Sequence, residues 1–239
     1  MNRTNMQDTP GTSDRTLRPN ARWVDVSTRL RDAIVSHTLA PGTKLPEDEL
    51  AAIYVVSRTA IRSALQALAH DRLVRLEPNR GAFVAQPSKQ EAREIFDARM
   101  LIEPRVAALA AETATRADIA RLRHHLEDED EALHAGQMSA AISLSARFHV
   151  TLAEIAGHTI LTEFVTDLVF RSSLIIALYW RRRDITCDSH AHHALVDALA
   201  RHELGRASEL MTSHLADLLA GLDLTIGDRK PRSLADVLR

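Results

Sequence analysis

The sequence predicts a mainly α-helical chain, with an N-terminal winged helix-turn-helix followed by an antiparallel all-α bundle of about six helices. Three observations predict it. Apolar residues recur at helical spacing from Trp23 onward, and strand-like runs are confined to residues 73–85. Only 4% of the 239 residues are aromatic, while Ala and Leu are abundant. The remaining make-up, 45% apolar and 26% charged, is that of a packed globular protein rather than a disordered or fibrous one.

Residues 1–20 are rich in Thr, Asn, Asp and Pro without periodicity and read as a flexible tail. Val26, Leu30, Ile34 and Val35 mark an amphipathic helix that stops before Pro41-Gly42. A second, short helix follows Pro46 and is expected to turn Leu50, Ile53 and Tyr54 inward. The third opens at Ser57, an N-cap residue, with Ile61, Ala64, Leu65 and Leu68 on one face and Arg58, Thr59, Arg62 and Ser63 on the other. Leu73–Glu77 and Ala82–Ala85 flank Pro78-Asn79-Arg80-Gly81, so they read as a hairpin.

Three helices closed by a hairpin, over residues 21–87, make a winged helix-turn-helix, a unit that lays one helix in the DNA major groove. Ser57, Arg58, Thr59 and Arg62 cluster at the start of the third helix, and Arg80-Gly81 sits at the hairpin tip. A guanidinium is a planar fork that binds phosphate or guanine bidentately, so this grouping points to double-stranded DNA as partner. For any single one of these arginines a solvated surface role stays open. Charge distribution agrees with the grouping. Up to residue 88 there are twelve basic and nine acidic side chains, a balance of +3, and the remainder carries −5.

One cysteine, Cys187, cannot form an intramolecular disulfide. The N-terminus has no apolar signal segment, and the longest apolar run, Leu174–Trp180, is far short of the about 20 residues of a membrane span. A cytoplasmic protein without membrane association is expected.

The ordered run Pro41-Gly42-Thr43-Lys44-Leu45, Glu49-Leu50-Ala51, Val56–Arg62, Ala64-Leu65, Leu68, Leu73-Val74 and Pro78–Val84 resembles the DNA-binding domain of GntR-family transcriptional regulators. The resemblance implies that Ser57, Arg58, Thr59 and Arg62 are recognition-helix contacts and Gly81 the wing-tip contact. Asp48 departs from it, standing where the family usually has an Arg that touches DNA.

From Lys89 onward the pattern is helical, with segments expected at 88–113, 116–135, 138–156, 159–180, 188–203 and 205–223 within an effector-binding and dimerisation domain over 88–226. Pro104 interrupts the first and should kink it. Residues 227–239 read as a frayed tail. Asp97–Pro104, Ala107–Ala111, Phe148-His149, Ala156-Gly157, His192–Leu199 and Met211–Leu215 are similar to the FCD effector domain.

Twelve histidines invite a metal hypothesis. His149 shares a helical face with Ile142, Ala146, Leu152 and Ala153, His192 with Leu195, Val196 and Leu199, and His214 with Leu210, Met211 and Leu218. Each is either a hydrogen-bonded core histidine or a ligand. In the FCD family the matching positions bind a divalent metal, which implies a zinc or nickel ion on these three. The family's further ligand, Asp or Asn four residues before the Phe-His histidine, is Ser145 here. A hydroxyl is a poor ligand, so water fills that position, or the histidines and Ser145 meet the effector directly. His190 and His193, together with His124, His125, His134 and His158, read as surface residues, and the acidic run Glu127–Glu131 as a solvated helix face. Arg99 matches a position where the family often places an effector-binding arginine, which implies a small carboxylate ligand. An Arg99–Glu103 pair one turn apart is the other reading.

The function these features predict is a ligand-responsive repressor: a homodimer on a pseudo-palindromic operator, with effector binding in the bundle altering DNA affinity. The alternative is a His-rich helical metalloenzyme with an accessory N-terminal domain. It lacks support from motifs, because His202-Glu203-Leu204-Gly205-Arg206 misses the second histidine of HExxH, and no nucleophile elbow or phosphate loop is present.

Overall fold

A computed structural model describes residues 19–180 and 186–225. Most of the 1–20 tail and all of the 227–239 tail lie outside the described residues, but Pro19 and Asn20 already belong to α1 (Pro19–Val35). After α1 come β1 (Lys44–Leu45), α2 (Glu47–Tyr54), α3 (Arg58–His70), β2 (Val74–Glu77) and β3 (Gly81–Val84). The strands form one antiparallel sheet in the order β1-β3-β2, with Lys44 opposite Phe83 and Val74 opposite Val84. β1 is too short to leave a periodic signal in the sequence.

Local chemistry explains these boundaries. Ser57 caps α3 by accepting from the Ala60 amide at 3.2 Å. α2 ends because Val55 takes a left-handed conformation, φ 53°, that no helix continues through. The hairpin turns at Pro78-Asn79, where the Arg80 amide donates to Glu77 O at 3.1 Å and Asn79 adopts φ 62°, tolerable for Asn and costly for most side chains. Ile61, Ala64, Leu65 and Leu68 are buried as expected, packing with Val26, Leu30, Ile34 and Leu50. Ile53 is not. It is 52% exposed, because an eight-residue helix buries a single stripe through Leu50 and leaves Ile53 outside it.

The rest is helical: α4 (Lys89–Thr113), α5 (Arg116–His134), α6 (Met138–Ile155), α7 (Thr159–Tyr179), α8 (Thr186–Ala200) and α9 (Leu204–Ala220). α4 runs through Pro104 as one 25-residue helix. α5 begins in a capping box, with Thr115 and Asp118 each satisfying the other's backbone N–H. α9 packs along α4, and α5, α6, α7 and α8 close the bundle around them.

The two apolar cores meet. Leu174 of α7 is buried within the N-terminal core, and Val35 of α1 within the bundle core. Tyr179 donates its hydroxyl to Pro87 O at 2.9 Å, and Arg147 of α6 pairs with Asp32 of α1 at 3.1 Å. No helix among the described residues is long and apolar enough to cross a membrane.

Candidate functional site

Two places collect the residues that the sequence singles out. The first is the exposed face of α3 and the hairpin. Ser57, Arg58 and Thr59 are exposed at the start of α3, and Arg62 follows one turn later on the same side. None of these arginines is idle. Arg62 donates to both Glu47 oxygens at 3.1 and 2.8 Å, and Arg58 Nε lies 2.9 Å from Asp48 Oδ1. The hydrogen bonds from Arg62 hold Glu47 below the usual carboxylate range. At the hairpin tip Arg80 pairs with Glu77 at 2.5 Å and lies over the Phe83 ring at 5.5 Å, beside Gly81 at φ +97°. Gly81 has room for a side chain, but that backbone region does not.

The second place is buried in the bundle. His149 (α6), His192 (α8) and His214 (α9) are brought together from three helices, each at most 4% exposed, with one nitrogen from each lying within 4.8 Å of the others. His149 Nε2 and His214 Nε2 are 3.2 Å apart, and His192 Nε2 has no hydrogen-bond partner among the described residues. Two carboxylates set the orientation. Glu103 Oε2 lies 2.6 Å from His149 Nδ1, and Glu129 Oε2 lies 3.1 Å from His192 Nδ1. A carboxylate accepts, so both Nδ1 atoms carry the proton and both Nε2 lone pairs face the centre. Phe148 stacks on His192 at 4.1 Å and fixes its ring plane.

Burial pushes the Glu103 carboxyl up, but the Arg99 guanidinium and His149 outweigh it and hold it lowered to about 2. Burial also pulls His149 and His214 below the usual histidine value, which favours the neutral form of both rings. Neutral, oriented imidazoles are the form that binds a metal. Tetrahedral coordination at 2.0–2.1 Å would set nitrogens about 3.3 Å apart, which the 3.2 Å pair already meets. The donor set therefore fits a divalent ion.

Arg99 makes the pair with Glu103 that was one of the two readings left open by the sequence. It is 2% exposed, and its Nε donates to Glu103 at 2.5 Å while Nη1 donates to Ser172 at 2.9 Å. Its Nη2 is buried and has no hydrogen-bond partner among the described residues, and Arg99 lines a cavity of about 230 Å³ that is also lined by Ser145, His149, Glu129 and Trp180. The Ser145 hydroxyl makes no hydrogen bond among the described residues.

Two expectations need correction. Glu129 is 2% exposed rather than solvated, because the 127–131 run spans more than one turn and its third member points at His192. His125 is half-buried and bonds Leu144 O at 2.8 Å. His193 and His124 are exposed as expected. A residue the sequence reading missed is His37, in the turn after α1, which lines the same cavity. No periodicity marks a loop residue, so nothing in the sequence pointed to it.

Residues 24–84 match the family of bacterial regulatory proteins called gntR, and residues 94–217, more than half the chain, match the FCD domain. The chain belongs to the GntR family and carries an FCD domain. The Uxu operon transcriptional regulator of Escherichia coli K12 is 30% identical over 208 residues, 80% of this chain and 77% of its own. The transcriptional repressor RspR of the same organism is 27% identical over 192 residues, 79% of this chain and 83% of its own. A crystal structure of a GntR transcriptional regulator from Rhodococcus sp. RHA1 superimposes with TM-score 0.73 at 28% identity, covering 84% of this chain and 96% of that one. This GntR protein is a DNA-binding transcriptional regulator with an effector-binding domain, and the enzyme alternative falls with that assignment.

Proposed function

We propose that this GntR protein is a cytoplasmic, homodimeric repressor that binds a small organic acid in its bundle and changes its hold on a pseudo-palindromic operator. In this reading Ser57, Arg58, Thr59, Arg62, Arg80 and Gly81 face the DNA. Arg99 and Ser145 meet the acid, and His149, His192 and His214 hold zinc or nickel. The observation that carries it is one cavity lined both by His149 of the triad and by Arg99, whose Nη2 has no hydrogen-bond partner among the described residues. A buried guanidinium donor without an acceptor is costly, and an anion in that cavity satisfies it. A bound divalent ion would add Lewis acidity, which holds a carboxylate oxygen. The name of the repressor RspR favours repression over activation.

Coupling follows from the packing. α7 lines the cavity with Val169, Ser172 and Ile176, and one of its residues, Leu174, is buried in the N-terminal core. A ligand that shifts α7 therefore shifts the DNA-binding unit, which is the differential contact that allostery requires.

The test is fluorescence anisotropy of the full chain on a duplex from upstream of its own gene, against a scrambled duplex, at about 50 and 150 mM salt. Specific binding that survives the higher salt supports the reading. Equal binding to both duplexes at every salt contradicts it for that operator, and a tetramer or monomer by light scattering contradicts the dimer.

A further inference from the structure

We infer that the effector is a monocarboxylate with an apolar, unhydroxylated body of medium size, neither a sugar acid nor a di- or tricarboxylate. The inference rests on the reading above that the bundle binds an acid, and it names which acid. Several of the polar side chains that line the cavity are already in use. Ser172 accepts from Arg99 and donates to Val169 O at 2.8 Å, while Ser173 donates to Phe170 O at 2.6 Å. Among the described residues Arg99 Nη2 has no hydrogen-bond partner and the Ser145 hydroxyl makes no hydrogen bond, and both residues line the cavity. Two such donors suit a single carboxylate.

Most of the lining is apolar. Leu133, Met138 and Ile142 come from α5 and α6, Ile176 and Ala177 come from α7, and Trp180 lines the space as well. Most hydroxyls on a ligand body would lie against this apolar lining, and each one left without a partner would lose its water without replacement. A second carboxylate meets a worse environment. Glu129, itself buried, lines the cavity and repels another anion, and the charge of Arg99 is already shared with Glu103. Size sets the last limit. A cavity of about 230 Å³ suits an acid of medium size.

The experiment is isothermal titration of the full-length protein with a matched panel: hexanoate, octanoate and 3-phenylpropanoate, then glucuronate, then adipate and citrate, with octanamide as the uncharged control. Octanoate or 3-phenylpropanoate should bind at least tenfold more tightly than glucuronate, adipate and citrate, and at least tenfold more tightly than octanamide. Ile142→Asn should weaken octanoate at least tenfold while leaving the circular dichroism spectrum unchanged. Should that variant fail to fold, the wild-type panel alone decides. Glucuronate or citrate binding as tightly as octanoate overturns the inference and leaves the acid reading standing. Octanamide equal to octanoate, or no acid binding at all, overturns the acid reading itself.

Discussion

His37 Nε2 lies 2.7 Å from the backbone oxygen of Ser173, joining the turn after α1 to the α7 wall of the cavity. A carbonyl only accepts, so the imidazole donates, and His37 holds this place at φ 59°, a conformation most residues avoid. Burial pulls its pKa below the ordinary 6.5, against the opposing pull of the Ser173 oxygen.

A pH dependence follows with a definite sign. The folded ring resists protonation and the unfolded ring does not, so this group's stability contribution is complete above pH 6.5 and is lost as pH falls below it. His37→Gln keeps a donor but cannot titrate. Between pH 7.5 and 5.5 the wild type should lose up to about 1.4 kcal/mol more unfolding free energy in urea than His37→Gln, the limit for one group over one pH unit. Parallel losses in the two proteins would show that His37 already takes up its proton in the folded state.

The histidine triad predicts metal content. After dialysis the wild type should retain about one zinc or nickel ion per chain by elemental analysis, and His149→Ala, His192→Ala and His214→Ala should retain none. Glu129→Gln keeps the shape while weakening the acceptor for His192 Nδ1, so chelator competition should find the affinity about 10–100-fold lower. Equal metal in wild type and all three alanine variants would remove the metal from the proposed function.

Much of this site was legible in the sequence because helical periodicity states which way a side chain points. His149, His192 and His214 each share a stripe with Leu or Met, and a stripe that must be buried brings its histidine inside. Ser57 was readable as a cap for a similarly local reason. What stayed hidden depends on partners far along the chain. Glu129 looks like its acidic neighbours until α8 places His192 against it, 63 residues later. His37 sits in a loop, where no period applies, and Asp48 gives no sign alone that it lies against Arg58.

Those acid–arginine pairs on the face proposed to meet DNA make a prediction of their own. Glu47 and Asp48 hold Arg62 and Arg58 and bring negative charge to the face proposed to meet phosphates. Arg58→Ala and Arg62→Ala should each weaken operator binding by about 1–3 kcal/mol if they read bases, or flatten the salt slope if they clamp phosphates. Glu47→Gln and Asp48→Asn should do the opposite, tightening binding and steepening the salt slope, because exposed pairs like these add little to stability. Weaker binding in both amide variants would mean that the carboxylates orient the arginines for DNA rather than compete with it.

Gly221 predicts how the wall of the cavity responds to a single methyl. It caps α9 at an ordinary φ of −76°, so alanine meets no backbone strain there. A Cβ would nevertheless fall 2.6 Å from the Trp180 ring, well inside contact distance. Trp180 lines the cavity and its backbone pairs with Leu222, so the ring has to tilt while its anchor stays. Overpacking of this kind costs about 1–3 kcal/mol. Gly221→Ala should therefore lower the melting temperature by several degrees and shift tryptophan emission, best read in a Trp23→Phe background that leaves Trp180 as the sole indole. If the ring tilts inward, octanoate affinity falls in step with the emission change. An unchanged melting point together with unchanged emission would show that the Trp180 ring does not rest on Gly221 in solution.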